Sequence, residues 1–226
     1  MGTALSAALR DAGLVVRGPL GRGASIGDAM VAILCVPDGQ IAAAARTIPH
    51  DRMVAHCSGI SSLDPLARDA SFSIHPLLSV TTATRSFAGA ACVIEAGTAA
   101  ARATAGALAR ALGMAVVTPL AGTRPLYHAA ATAAAGGVVT VALLAERLMA
   151  RAGVDRAHLA PLVRSAIDNW ATLGEAGLTG PITRGDEATA ARQREAVAAA
   201  APDELPLWDA LCDAMRRVAA AGQIAE

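Results

Sequence analysis

Short apolar runs alternate with helical stretches over the first half of the chain, and then the runs stop. The segment 31–37 (VAILCVP) is apolar without alternation, the pattern of a strand buried on both faces of a parallel sheet. Segments 53–59 (MVAHCSG), 71–77 (SFSIHPL), 91–97 (ACVIEAG) and 115–121 (AVVTPLA) repeat it, and 14–18 (LVVRG) reads as a further strand. Helical stretches lie between them at 2–12, closed by Gly13, and at 40–47 and 98–112. Strand alternating with helix predicts a parallel sheet with right-handed crossovers. After residue 122 no such run recurs. Helices are expected at 123–152, 155–174, 186–200 and 203–222, with a Gly/Pro-rich loop, LTGPITRGD, at 178–186. The change of pattern divides the chain into an α/β domain, 1–122, and an all-α domain, 123–226.

The segment 123–152 reads as one long helix. Thr123 suits the N-cap, Pro125 the first turn, and Gly153 the stop. From Ala129 to Ala145 it has no charge, and a helix apolar all round is buried in a core or clasped by partners. Its small-residue content and polar neighbours argue against a membrane span. Arg124, Tyr127 and His128 gather at its start, which makes it a hinge with a polar cluster facing a cleft. Adjacent helical residues point about 100° apart, so Tyr127 and His128 are not expected to reach one atom. His128 is the first candidate for a proton donor, Tyr127 for orienting a substrate; an interdomain packing pair is the plainer reading.

Composition narrows the chemistry. Net charge is zero and aromatics are 2%, which argues against a nucleic-acid partner. All 19 basic residues are arginine, so lysine Schiff-base chemistry and any lysine acid are excluded. Cys35, Cys57, Cys92 and Cys212 form no C-x-x-C pair and no metal spacing, and a reducing cytoplasm fits them. No basic segment followed by an apolar run marks a signal peptide. His56, His75 and His128 lack the spacing of metal ligands, and no metal is expected.

Candidate chemistry collects at strand ends. Val36 and Pro37 follow the 31–37 run at the carboxyl edge, where open α/β sheets bind ligands, with Asp38 read as a cap for the next helix. His56, Ser58 and Gly59 end the next strand. His75 precedes Pro76, which holds it extended at the rim, where it is either a proton donor to a carbonyl or a structural histidine. A dinucleotide-binding domain opens on a strand and then G-x-G-x-x-G entering a helix. Here Gly2 enters the helix directly and stands where the third glycine belongs; the first strand is expected upstream of a late start, or else lost. No acidic residue lies between Leu14 and Ile26, and Arg22 in GRG suits the 2′-phosphate of NADP better than the ribose of NAD; a solvated loop arginine is the alternative. Arg184 could pair with a substrate carboxylate or simply tie to Asp186, and Asn169, mid-helix, suggests a side-chain role.

The segments LCVPDGQI (34–41), VAHCSG (54–59), IHPLLSV (74–80), RPLYHAAA (124–131) and LTGPITRGDEAT (178–189) together resemble a family of Rossmann-like proteins with a helical C-terminal domain of unknown function, 2520. In layout it is similar to pyrroline-carboxylate reductases, ketopantoate reductases and 6-phosphogluconate dehydrogenases. The resemblance implies a Rossmann-like parallel sheet, here missing its first strand, followed by an all-α domain like that of 6-phosphogluconate dehydrogenase. It also implies NAD(P) binding, a cleft between domains and a homodimer formed through the helical part. The chain departs from the family at Gly136, where an asparagine is usual, and at Gln193, where a histidine is usual. The lysine of the related enzymes has no counterpart. The expected function is an NADP-dependent oxidoreductase acting on a small carbonyl or imine, with His128, His75 and Tyr127 catalytic. Gly2, Arg22, Val36, Pro37, Ser58 and Gly59 would hold the cofactor, and Arg124, Arg184 and Asn169 the substrate. The alternative is a dimeric binding or regulatory module that keeps the fold without turnover.

Overall fold

The computed structural model describes residues 1–224. It contains two compact units, Met1–Ala135 and Gly136–Glu226. The first unit runs α1 (Gly2–Asp11), β1 (Val31–Leu34), α2 (Ile41–Ala45), β2 (Met53–His56), β3 (Ser71–Leu77), β4 (Ala91–Ala96), α3 (Ala99–Ala111), β5 (Ala115–Val117) and α4 (Arg124–Thr132). The strands form one sheet in the order β1-β2-β3-β4-β5.

Both faces of the sheet are covered over β2 to β4, which is why these strands read as unbroken apolar runs, whereas β5 at the edge is exposed. Successive residues of β2 serve opposite faces. Val54 packs with Ile41, Ala45, Ile48 and Leu66, while Ala55 joins Phe72, Ile74, Cys92 and Ile94 under α1 and α3. Helix α3 presents Ala101, Ala105 and Ala109 at four-residue spacing, small enough to bring the helix close to the sheet. Thr98 caps it, its hydroxyl accepting from the Ala101 amide at 3.1 Å.

Two expectations for this unit are corrected. The sheet is parallel from β1 to β3 and again between β4 and β5, but β3 and β4 run antiparallel. The connection 78–90 carries no helix to cross the sheet, so the chain turns back, with Phe87 buried in the core. Segment 14–18 is not a strand. Val15 is 98% exposed, and Arg10 donates to the carbonyls of Val16 and Gly18. A side chain thus takes acceptors that a neighbouring strand would use.

The long helix runs unbroken from Arg124 to Arg151 but is not uniform. After α4, residues Ala133–Gly137 form a π turn, and α5 (Val138–Arg151) follows. Gly136 and Gly137 hold the α conformation weakly, which lets the wider turn in. The two units divide between Ala135 and Gly136, so α4 is counted with the sheet, past the change of pattern at residue 122. Thr123 stands at the N-cap position without capping; its hydroxyl donates to the Leu120 carbonyl at 2.7 Å. The segment Arg124–Arg151 is long and apolar enough to cross a membrane by length and composition, and only 6% of its most apolar window is buried. It is therefore not a core helix of this chain: Val139, Val141 and Leu143 face outward.

The second unit continues with α6 (Arg156–Leu173), α7 (Glu187–Ala200) and α8 (Leu205–Ile224). Asp155 caps α6 and Asp186 caps α7, each accepting a backbone amide, from Ala157 and Thr189 respectively. Ile182, Ala190 and Cys212 pack with Trp208 and Met215. Arg194 grips Asp209 through two bonds of 2.9 Å, and Arg216 pairs with Glu187.

Candidate active site at the strand ends

The loop after β2 is set by a histidine. His56 is fully buried, and its two ring nitrogens have opposite duties. Nδ1 accepts from the Ser58 amide at 3.2 Å, so Nε2 carries the proton and donates to the Ser62 carbonyl at 2.9 Å. Burial pushes its pKa below the ordinary value, against the pull of the Ser62 carbonyl, and keeps the ring neutral. The Ser58 hydroxyl then accepts from the Ser61 amide at 2.9 Å. His56 thus fixes a turn that ends on buried Gly59.

Gly59 is the floor on which two other histidines rest. A Cβ there would lie 2.5 Å from His128 Cδ2 and 2.7 Å from His75 Cε1. Space, not backbone conformation, demands glycine. His75 arrives from β3, where it pairs in register with Val93 of β4, and His128 from the first turns of α4. Their ring centroids are 6.0 Å apart. Tyr127 meets His75 edge-on, with its hydroxyl 2.6 Å from His75 Nδ1. Tyr127 and His128, adjacent along α4, both lie against the His75 ring.

Arg124 clamps this arrangement. Its Nε donates to the Gly59 carbonyl at 3.1 Å, and Nη2 donates to Ser73 Oγ at 2.9 Å and to the Ser58 carbonyl at 3.3 Å. Nη1 pairs with Glu95. The side chain is 19% exposed, so the guanidinium ties β2, β3, β4 and α4 together from a largely dry position.

The electrostatics follow from burial. His75 falls from its ordinary 6.5 to about 4, through burial first, then His128 and Arg124 nearby. Burial, with Cys92 adding to it, pushes the Tyr127 phenol up to about 12. At neutral pH both are uncharged. The sign for stability is then fixed. As pH falls below 6.5 the unfolded chain binds a proton at His75 that the folded chain refuses until about 4. Stability is expected to be full above pH 6.5 and to be lost across that window. Urea melts of the wild type between pH 7 and 4.5 are expected to show the loss, and His75→Gln to flatten it; equal slopes would remove His75 as the cause.

Residues named from sequence for cofactor binding lie on this unit. Gly2 begins α1 without a side-chain cap, and a Cβ on it would lie 3.3 Å from the Cys35 Cβ. Val36 and Pro37 link β1 to a short turn, Asp38–Gln40, and Asp38 caps nothing with its side chain. Arg22, in an exposed loop, donates to Gln40 Oε1 at 2.9 Å. The uncapped amides at the start of α1, packed against Cys35 beyond the end of β1, fit the phosphates of a dinucleotide. Arg184 and Asn169 lie in the second unit, both exposed, Arg184 in the turn before α7 and Asn169 within α6. Sequence reasoning missed Ser73 and Glu95. A lone charge in the apolar run ACVIEAG was the available signal for Glu95.

No curated protein matches the chain. Among solved structures it is similar to protein TM1727 from Thermotoga maritima, with 24% identity and a TM-score of 0.74 over 84% of this chain and 79% of that one. An imine reductase from Streptomyces aurantiacus gives 19% identity and a TM-score of 0.56 over 97% and 91%. A reductive aminase from Aspergillus terreus, in complex with NADPH and ethyl levulinate, gives 16% and 0.54 over 85% and 74%. These likenesses establish a Rossmann-like α/β fold with a helical C-terminal region. Residues 90–215 match the family model described as a domain of unknown function, DUF2520. The chain belongs to the DUF2520 family.

Proposed function

We propose that the chain is an NADP-dependent oxidoreductase acting on a small carbonyl or imine. The observation that carries the reading is the convergence of His75, Tyr127 and His128 over Gly59, beside the carboxyl ends of parallel strands. The names of the imine reductase and the NADPH-bound reductive aminase point the same way. Gly2, Val36, Pro37, Ser58 and Gly59 would hold the dinucleotide, and Arg22 its 2′-phosphate. When bound, the nicotinamide supplies or accepts the hydride.

The protein's part is the proton. When a carbonyl or imine carbon receives a hydride, its oxygen or nitrogen needs a proton. Tyr127 is protonated at working pH, since its pKa is near 12. In the tautomer with the proton on Nδ1, neutral His75 donates to the Tyr127 oxygen and leaves the phenol proton free for the substrate. The same bond then steadies the phenolate. This moves the donor role from His128, first choice on sequence, to Tyr127, with His128 flanking His75. Arg124 has four bonds to protein groups and acts as a clamp in this reading rather than as a substrate ligand. The outward apolar face of α5 suits a second copy of the chain, and we take the functional unit to be a homodimer.

NADPH fluorescence titration comes first, then turnover on small ketones and cyclic imines. Tyr127→Phe is expected to lose about 10²–10⁴-fold in kcat with NADPH affinity unchanged. No binding at millimolar NADPH would end the reading. Binding without turnover by the wild type would favour a binding or regulatory module.

A further inference from the structure

The first unit brings together two thiols that lie 22 residues apart in the chain. Cys35 and Cys57 are the residues just beyond the last register pair of β1 and β2, Leu34 and His56. The Cys57 amide donates to the Leu34 carbonyl at 3.4 Å, so the two strands are still side by side there. Neighbouring strands run about 4.8 Å apart. That lies inside the Cα separation of about 4.4–6.8 Å that a disulfide bridges. The sulfurs are 3.8 Å apart. Cys35 and Cys57 are partly exposed, whereas Cys92 and Cys212 are buried.

We propose that Cys35 and Cys57 form a reversible dithiol–disulfide pair oxidised by hydroperoxides. This goes beyond the oxidoreductase reading and does not depend on it. The pair is asymmetric. Donation from the Cys57 S–H holds the Cys35 thiol below its ordinary pKa, while the same bond and burial push Cys57 well above. Cys35 is therefore the attacking sulfur. Its thiolate takes the terminal oxygen of the hydroperoxide, the O–O bond breaks, and Cys35 becomes a sulfenic acid while an alkoxide or hydroxide leaves. That base takes the Cys57 proton. The Cys57 thiolate attacks the Cys35 sulfur, the S–S bond forms, and hydroxide departs to be protonated as water. In sum, two thiols and one hydroperoxide give one disulfide, one alcohol or water, and one further water. The bridge would tie the loop leading to Pro37 to the loop leading to Gly59.

The sequence makes the test clean. Cleavage after arginine puts the four cysteines in separate peptides, 23–46, 53–68, 86–102 and 195–216. The reduced full-length protein is treated with equimolar hydrogen peroxide, alkylated in denaturant and mapped by mass spectrometry. The expected product is an intrachain 23–46/53–68 cross-link, two hydrogens lighter and reversed by dithiothreitol, with Cys92 and Cys212 still alkylated. Cys57→Ser is expected to stop at a dimedone-trapped sulfenic acid on Cys35, and Cys35→Ser to slow thiol oxidation at least tenfold. Full alkylation of Cys35 and Cys57 after the peroxide is consumed, or cross-links only between chains or to Cys92, would overturn the proposal. The wild-type map decides this even if either variant fails to fold.

Discussion

Arg124→Ala is expected to lower folding stability by about 3 kcal/mol, the largest loss of any single change at the site. The ion pair supplies the smaller part, because the Glu95 side chain is 43% exposed and water screens it. The greater part is what the deletion leaves behind. The Ser58 and Gly59 carbonyls and the Ser73 hydroxyl lose their donor in a region that admits little water. Arg124→Lys is expected to fall in between, since one ammonium cannot span all four partners. Urea denaturation with a common slope measures both. A loss under about 1 kcal/mol for the alanine variant would show that water replaces the guanidinium freely.

Gly59→Ala is expected to cost about 10²-fold in turnover while leaving a folded protein. The added methyl would lie under 3 Å from both imidazoles, so one ring must move. His75 is tethered through Tyr127 and through β3, and His128 is the freer of the two. Displacing either breaks the contact between the rings, and over-packing of this kind costs about 1–3 kcal/mol in stability. Unchanged kcat and an unchanged melting curve in the same preparation would show that the floor yields and that the close packing is incidental.

Much of the fold was legible because burial on two faces writes itself into composition. The runs at 31–37, 53–59, 71–77, 91–97 and 115–121 each contain an observed strand, and the helices after residue 155 lie close to their expected bounds. The antiparallel turn was not legible, since 71–77 and 91–97 look the same whichever way they pair. Nor was the loss of 14–18, which depends on where the Arg10 side chain goes. At the site, Tyr127, His128 and His75 could be named because polar residues at strand ends and helix starts stand out. Their shared floor could not, because Gly59 is an ordinary loop glycine until three segments close over it. The role of Arg124 was hidden for the same reason: its partners are two backbone carbonyls, a serine and a glutamate spread along the chain.

Tyr127 is the chain's one tyrosine, and its two tryptophans, Trp170 and Trp208, both belong to the second unit. Ultraviolet spectroscopy therefore separates the halves without a label. Indole emission excited beyond the phenol band belongs to the second unit alone, and phenol fine structure, resolved from indole by second-derivative absorption, to the histidine cluster. A single melt read in both bands would say whether the two units come apart at one temperature or at two.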